Sequence, residues 1–210
     1  MASKSLITFE KIQNESPHFL DTDSHPDWQA HFGNDNPVKL EIGFGNGKFL
    51  LEMAIREPEF NFIGLDFYHR GIRKVISRIE NLQLKNLCIV YGDAREKVPT
   101  LFHEGEMKMV YINFPDPWPK KRHIKRRLIK PAFVNLLASR LMPGGEAHLA
   151  TDSEPYAREM LSYLETDPAF KNQVGKNLFL EERDHFPVSK YEKNFINAGE
   201  KIYYLDFVKE

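Results

Sequence analysis

The stretch Val38-Lys39-Leu40-Glu41-Ile42-Gly43-Phe44-Gly45-Asn46-Gly47 decides the fold. Its first half is a β-rich run, and its second half has glycines at alternate positions before a helical pattern over residues 48–57, which Pro58 closes. Because glycine adopts positive φ and lets a ligand approach the backbone closely, this order predicts a site for a nucleoside or a pyrophosphate. The spacing is GxGxG rather than GxGxxG, and tight-turn glycines without a ligand also produce it.

Alternating strand and helix patterns continue along the chain after this loop. Short β-rich or apolar runs predict six further strands near residues 61–65, 87–91, 109–113, 145–151, 178–182 and 202–208. This order predicts an α/β fold, with a mostly parallel seven-stranded sheet and helices on both faces. We therefore expect one Rossmann-like domain over residues 38–210 after an N-terminal extension over residues 1–37, with ligands at the carboxyl ends of the strands.

The composition is that of a chain that buries a core without covalent cross-links. The 210 residues are 41% hydrophobic and 28% charged, and the single cysteine, Cys88, lies in an apolar run. One cysteine forms no internal disulfide, which favours a reducing compartment, and no apolar stretch approaches the roughly 18 residues of a membrane span. The first residues do not resemble a secretion signal, so we expect a cytoplasmic protein without a membrane partner.

The charge is distributed unevenly along the chain. The formal net charge is −1, yet residues 120–130 carry seven Lys and Arg and no acid, which leaves −8 on the rest. Such a run is often only a solvated surface, and nuclear-import signals have the same composition. Because of the residues that precede it, we interpret it as an RNA-binding surface that contacts phosphates.

Carboxylates lie at three predicted strand ends, where ligands bind in this architecture. Glu41 precedes the glycines, Asp66 ends the next strand, and Asp93 follows the third. An acid at Asp66 suits a ribose hydroxyl pair, and an acceptor at Asp93 suits the amine of adenine. Because three acids repel a pyrophosphate, they favour S-adenosylmethionine, which carries a sulfonium and an ammonium group, over NAD. No metal is expected, since His123 has no second ligand at suitable spacing.

The segment Asn113-Phe114-Pro115-Asp116-Pro117-Trp118-Pro119 follows the fourth predicted strand and leads into the basic run. Three prolines in five residues predict a rigid loop that cannot join a helix. A carboxylate accepts both Watson–Crick donors of guanine, and an aromatic ring stacks on a base. The segment therefore predicts guanine recognition by Asp116 and Trp118, with a structural turn around a packed Trp as the alternative.

These residues give the sequence its resemblance to the tRNA (guanine-N7)-methyltransferases of the bacterial TrmB type. The motifs that carry it are residues 41–47, Gly64-Leu65-Asp66, residues 113–127, Thr151-Asp152 and Ser189-Lys190-Tyr191-Glu192. The resemblance implies a class I, Rossmann-like methyltransferase that uses S-adenosylmethionine. It also implies transfer of the methyl group to N7 of a guanosine in the variable loop of tRNA, by direct in-line attack of the N7 lone pair.

The resemblance also implies roles for individual residues. Cofactor contacts are expected at Glu41, Gly43, Gly45, Gly47, Asp66, Asp93 and Asp116, and Asp116 is also the expected catalytic residue. Substrate binding is expected at Lys120, Asp152, Ser189, Lys190, Tyr191 and Glu192, and RNA contacts at Arg122, His123, Lys125, Arg126 and Arg127. Ser189 and Tyr191 replace the family's usual threonine and phenylalanine and retain the hydroxyl and the ring.

Three other functions fit part of the pattern. The loop after the fourth strand partly resembles Asn-Pro-Pro-Tyr loops that hold an exocyclic amine, but Phe114 and Asp116 interrupt that arrangement. A non-catalytic RNA-binding protein on a methyltransferase fold is a second alternative, and an NAD-linked oxidoreductase is a third. The sequence is compatible with a monomer or a homodimer.

Overall fold

The computed structural model describes Glu10, Ile12 and residues 16–210. Residues 1–9, 11 and 13–15 of the expected N-terminal extension lie outside the described residues. Eight strands of the described chain form one sheet. In chain order they are β1 (Phe19–Leu20), β2 (Val38–Ile42), β3 (Asn61–Asp66), β4 (Leu87–Tyr91), β5 (Met107–Asn113), β6 (Leu141–Thr151), β7 (Phe170–Asn172) and β8 (Tyr203–Lys209).

The strand order across the sheet is β1-β4-β3-β2-β5-β6-β8-β7. Strands β1 to β6 run parallel, whereas β8 is antiparallel to both β6 and β7. The chain moves outward from β2 through β3 to β4 and then returns to β5 on the other side of β2. The topological switch point, where ligands bind in such sheets, is therefore at the carboxyl ends of β2 and β5.

Helices cover both faces of this sheet, as the sequence predicts. Their described bounds are α1 (Trp28–Phe32), α2 (Lys48–Arg56), α3 (His69–Leu82), α4 (Ala94–Leu101), α5 (Pro131–Arg140), α6 (Glu154–Thr166) and α7 (Lys190–Asn197), with a 3-10 helix over Lys121–Arg126. The apolar side chains of α2 and α3 pack in one buried cluster, and those of α4, α5 and α6 pack in another. The mostly parallel α/β fold is thus confirmed.

The strand count differs from the prediction, whereas the antiparallel edge is compatible with a mostly parallel sheet. Two strands were not predicted: β1, which precedes the expected domain and pairs with β4, and β7, which pairs with β8. The expected strand over residues 178–182 was wrong: it contributes one isolated bridge, from Leu180 to Tyr204, because β7 already pairs along the end of the same β8 edge. Strand β6 begins at Leu141, four residues before the predicted start at residue 145, so Gly144 lies inside the strand.

Helix α3 shows how the sequence pattern becomes packing. Its apolar positions Ile72, Val75, Ile76 and Ile79 are all buried against the sheet. Leu82 continues the spacing but is 51% exposed, because the helix ends there and Gln83 adopts the left-handed C-cap conformation. One face of α3 therefore anchors it to the sheet, and the opposite face meets solvent.

The described residues before residue 38 pack on the sheet. Phe19 is buried, and so is Trp28, whose indole Nε1 donates a hydrogen bond to the carbonyl of Leu101 at 2.9 Å. The buried Lys97 donates to the carbonyl of Thr22 and to Asp23, each at 2.7 Å. A domain boundary at residue 37 remains a prediction. No helix in the described part of the chain is long and apolar enough to cross a bilayer.

Candidate active site

A cavity of about 620 Å³ opens at the carboxyl ends of the parallel strands. Asp66, Asp93 and Asp116 line it together with Gly43 and Gly45. These five residues come from the ends of β2, β3, β4 and β5, so the parallel sheet brings them together from positions up to 73 residues apart in the chain. The cavity lies at the topological switch point, where the fold predicts a ligand.

The glycine loop between β2 and α2 forms one wall of the cavity. Gly43 and Gly45 have φ angles of 74° and 55°, in the left-handed region that glycine adopts without strain. The amide of Gly45 donates to Oδ2 of Asp66 at 2.8 Å. A Cβ at Gly71 of α3 would lie 2.2 Å from the carbonyl oxygen of Gly45, so only a glycine lets this helix approach the loop. Gly47 does not line the cavity but caps α2 and packs against Val75.

Asp66 is held rigidly at the end of β3. Its Oδ1 accepts a hydrogen bond from the amide of Tyr68 at 2.9 Å, and its Oδ2 accepts the one from Gly45. Burial raises the pKa of Asp66 above its usual range, and the backbone hydrogen bonds partly oppose this shift. The carboxylate therefore has a set orientation in the wall before any ligand binds.

Glu41 lies behind the cavity wall rather than in it. Its side chain is buried, and Oε1 accepts a hydrogen bond from Nδ2 of Asn113 at 3.3 Å. Burial raises the pKa of Glu41 to about 8, and the hydrogen bond from Asn113 opposes the shift. The backbone of Leu50 also lowers this pKa, although Oε2 makes no hydrogen bond of standard geometry within the described residues. Asn113 lines the cavity and Glu41 does not, so Asn113 lies between the Glu41 carboxyl group and a ligand in the cavity.

Asp93 and Arg95 join the cofactor side of the cavity to the basic segment. Asp93 caps α4 by accepting a hydrogen bond from the amide of Arg95 at 2.8 Å, and it also pairs with the Arg95 guanidinium at 3.2 Å. Nη2 of Arg95 donates to the carbonyls of Arg126 and Arg127 at 2.7 and 3.1 Å. Sequence reasoning missed Arg95, although the Asp-x-Arg spacing at a helix start was its signal.

The loop that carries Asp116 has strained backbone on both sides. Phe114 and Trp118 have φ angles of 53° and 42°, which bulky residues rarely adopt. The amide of Phe114 bonds the carbonyl of Ala150 at 2.8 Å, and its ring stacks on Phe195 of α7 with centroids 5.4 Å apart. Asp116 itself is exposed and is one of the residues that line the cavity. The surrounding contacts hold this loop in place, as its prolines predict.

The basic segment, residues 120–126, contains the 3-10 helix Lys121–Arg126 and lies beside the cavity. Lys120, Arg122, Lys125 and Arg126 are exposed, and His123 is half-buried. The Arg126 guanidinium lies 5.0 Å from the centroid of the Trp118 ring, and the edge of His123 contacts the same ring. Trp118 and Arg126 both line the cavity. The cationic and aromatic parts of the predicted site therefore meet at its rim.

Arg127 differs from the residues expected to contact RNA, because its side chain is buried. Its Nε donates to the carbonyl of Pro117 at 2.7 Å, and Nη1 pairs with Glu159. The guanidinium also lies 4.7 Å from the centroid of the Tyr156 ring. With its donors directed inward, the Arg127 side chain anchors the residue next to Asp116 and is not available to a phosphate in this structure.

The Ser189 to Glu192 motif likewise combines buried side chains with exposed ones. Ser189 caps α7 in a capping box with Glu192, and both side chains are buried. Oε1 of Glu192 also accepts a hydrogen bond from the Tyr204 hydroxyl at 2.7 Å. Tyr191 is 57% exposed and lines the cavity, and Lys190 is exposed beside it. Asp152 is exposed after β6 but is not part of the cavity lining.

Comparison with known proteins identifies the family. Residues 35–205 match the family described as "Putative methyltransferase" (Methyltransf_4). A curated tRNA (guanine-N(7)-)-methyltransferase from Geobacter metallireducens is 37% identical over 201 residues, which cover 94% of this chain and 95% of that protein. The chain belongs to the tRNA (guanine-N7)-methyltransferase family. A second relative with that name, from Halorhodospira halophila, is 41% identical over 179 residues, 85% of this chain and 78% of the relative.

Solved structures with similar folds are also methyltransferases. The 16S rRNA methyltransferase KamB has a TM-score of 0.63 at 15% identity, over 89% of this chain and 95% of that one. The aminoglycoside resistance methyltransferase NpmB1 has a TM-score of 0.59 at 14% identity, over 88% and 92%. At these identities the likeness shows the fold alone. In the described part of this tRNA (guanine-N7)-methyltransferase family member, no three His, Cys, Asp or Glu side chains are grouped as metal ligands.

Proposed function

We propose that the chain transfers a methyl group from S-adenosylmethionine to N7 of a guanosine in the variable loop of tRNA. The observation that carries this proposal is one cavity with an acidic wall and a basic, aromatic rim. Asp66 and Asp93 belong to the wall, Trp118 and Arg126 belong to the rim, and Asp116 lies between them in the chain. Membership of the methyltransferase family supports both the reaction and the RNA substrate.

The residues of the wall fit S-adenosylmethionine. Gly43 and Gly45 leave backbone without side chains at the cavity, and Asp66 and Asp93 offer carboxylate acceptors beside it. A bound cation would also favour the ionised form of the buried Glu41, which lies behind Asn113 and has a pKa raised to about 8. Together these groups favour a ligand with positive charge. When bound, the cofactor supplies a methyl group activated by its attachment to a sulfonium.

The reaction needs accurate placement more than proton transfer. N7 of guanine carries an in-plane lone pair, so N7 can attack a methyl group without a base first removing a proton. We assign to Asp116 the task of accepting hydrogen bonds from the N1–H and N2–H groups of guanine. Its negative charge then stabilises the positive charge that develops on the purine. The fixed backbone at Phe114 and Trp118 supports this task, because it limits how far Asp116 moves.

The rim provides contacts for the rest of the RNA. The rings of Trp118 and Tyr191 line the cavity and offer stacking surfaces for a base that leaves its helix. Lys120, Lys125 and Arg126 offer exposed cations to phosphates, which position an RNA without reading its sequence. We assign Lys190 the same task, since it begins α7 next to Tyr191.

Methyl transfer to unmodified tRNA tests the proposal. The purified protein is incubated with methyl-labelled S-adenosylmethionine and a tRNA transcript, and the RNA is digested to nucleosides for mass spectrometry. The expected product is 7-methylguanosine, and a transcript with adenosine in place of the variable-loop guanosine should receive no label. A label on an exocyclic amine would refute the assigned reaction. Tight tRNA binding with no label and no cofactor binding by calorimetry would favour a non-catalytic RNA-binding protein.

A further inference from the structure

A second group of cations lies on α3, apart from the basic segment. Arg70, Lys74 and Arg78 follow one another at intervals of four residues, so they form one stripe on the helix surface, which we call the α3 stripe. All three side chains are exposed, whereas Ile72, Val75, Ile76 and Ile79 on the opposite face are buried. The stripe spans about 12 Å along the helix axis, at a rise of about 1.5 Å per residue.

The α3 stripe begins at the mouth of the cavity. Phe67 and Tyr68 directly precede α3, line the cavity, and are 68% and 52% exposed. Arg78 lies two turns further along the helix, but its guanidinium reaches back to the carbonyl of Asn46 in the glycine loop at 3.5 Å. Two large exposed aromatic rings and a row of cations thus continue the cavity rim along α3.

In the part of the chain from residue 16 onward, the cations of the α3 stripe form no ion pairs with acids of the protein. Within residues 16–210, no carboxylate lies at ion-pair distance from Arg70, Lys74 or Arg78. By contrast, Arg56, Arg158 and Lys171 are exposed cations that each pair with a glutamate. Exposed cations with no carboxylate partner among residues 16–210, on a protein of net charge −1, mark a place where an anionic partner is attracted.

The α3 stripe and the basic segment approach the cavity from different faces of the sheet. Helix α3 packs in the same buried cluster as α2. The basic segment is attached to the other face, through Arg127 over Tyr156 of α6 and through Arg95 of α4. An RNA that delivers a base to the cavity between them has a cationic surface on either side of its path.

We infer that the α3 stripe is a second phosphate-binding surface for the tRNA whose guanosine enters the cavity. The inference rests on the proposed function for the identity of the RNA. The phosphate backbone is the occupant because the surface offers point charges and no carboxylate, and because Phe67 and Tyr68 connect it to the site of base recognition. RNA binding over both faces holds the substrate against rotation about the inserted base.

Charge reversal at matched lysines tests the inference. Lys74 lies in the α3 stripe, and Lys85 is an exposed lysine just before the amino end of β4, whereas the cavity lies at the carboxyl ends of the strands. Lys74→Glu should weaken binding of an unmodified tRNA transcript about tenfold at low salt and raise KM for tRNA, while Lys85→Glu should leave both within about twofold. In Arg70→Ala/Lys74→Ala, the slope of log affinity against log salt should fall by about 1.5 to 2, as expected for two lost phosphate contacts.

Cofactor binding, measured by calorimetry with S-adenosylhomocysteine, should stay unchanged in all three variants. Equal effects of Lys74→Glu and Lys85→Glu, or an unchanged salt slope in the double variant, would overturn the inference. Normal methylation of tRNA by the Lys74→Glu variant at low tRNA concentration would also overturn the inference. That result would leave the proposed function intact. Selective loss of RNA binding in Lys74→Glu, in a protein that forms no 7-methylguanosine, would support the α3 stripe and refute the proposed reaction.

Discussion

The acidic wall and the basic segment are built in different ways. Asp66 of the wall ends β3, is buried, and accepts a hydrogen bond from the Gly45 amide of the glycine loop. Behind the wall, the buried Glu41 of β2 accepts a hydrogen bond from Asn113. The basic segment is a short 3-10 helix with most side chains exposed, and its carbonyls are held by Arg95. The wall is therefore organised by the sheet itself, whereas the rim depends on a few individual side chains.

Arg126 and Arg127 show the same difference at adjacent positions. Arg126 is exposed over Trp118, while Arg127 is buried against Tyr156 and bonds the carbonyl of Pro117. One arginine presents its charge to a ligand, and its neighbour fixes the loop that carries Asp116. A basic run in a sequence thus combines residues that bind with residues that position, and only burial separates them.

Replacement of Asp116 should have the largest effect on the reaction. Asp116→Ala removes the acceptor for the guanine edge and the charge that stabilises the purine, so kcat should fall about a hundredfold or more. Affinity for S-adenosylhomocysteine should change less than about tenfold, because the wall residues Asp66 and Asp93 remain. Single-turnover methylation and calorimetry measure the two quantities. Turnover close to that of the parent protein would remove Asp116 from the chemistry.

Replacement of Glu41 tests the buried acid behind the wall. Because the pKa of Glu41 is raised to about 8, the folded protein keeps a proton that the unfolded chain releases near pH 4.5. The free energy of unfolding should therefore fall by several kcal/mol as the pH rises from about 4.5 to 8. Glu41→Gln should remove most of this pH dependence and weaken cofactor binding above pH 8, where Glu41 is ionised. Urea unfolding across this pH range measures the effect, and parallel curves for the two proteins would contradict it.

A matched pair of arginine variants sharpens the comparison between positioning and binding. Arg127→Lys keeps the charge but loses the planar fork that reaches both Pro117 and Glu159, so kcat should fall about tenfold with the salt dependence of tRNA binding unchanged. Arg126→Ala should instead lower the salt slope by about 1 and raise KM for tRNA. Steady-state kinetics at several salt concentrations separates the two. The same response from both variants would show that the two arginines share one role.

The smallest effect is expected at the cap of α7. Ser189→Ala removes the hydroxyl that accepts from the amide of Glu192, which should cost about 1 kcal/mol of stability. Ser189→Thr keeps this hydroxyl and should match the parent protein in chemical unfolding. KM for tRNA should rise in Ser189→Ala and recover in Ser189→Thr, since the cap orients Tyr191. A normal KM in Ser189→Ala would limit Ser189 to a structural role.

The sequence predicted the wall better than the rim, for a physical reason. Strand ends meet at one edge of any parallel sheet, so Asp66, Asp93 and Asp116 had to lie close together once the alternating pattern was recognised. No periodicity indicates which side chain in or directly after a 3-10 helix turns inward, and for this reason the burial of Arg127, the residue after the helix, was not foreseen. The spacing of Ser189 and Glu192 also fits a capping box, whereas the resemblance implied substrate binding for both residues.

Strand β1, which precedes the glycine loop in the chain, protects an edge of the sheet. It covers the outer edge of β4, and Trp28 fills part of the apolar cluster next to α4. A shortened protein that starts at Val38 would leave the backbone groups of β4 unpaired at an open edge and the Trp28 site empty. Such edges promote association between molecules, so trimming the chain to its motif-bearing part invites aggregation.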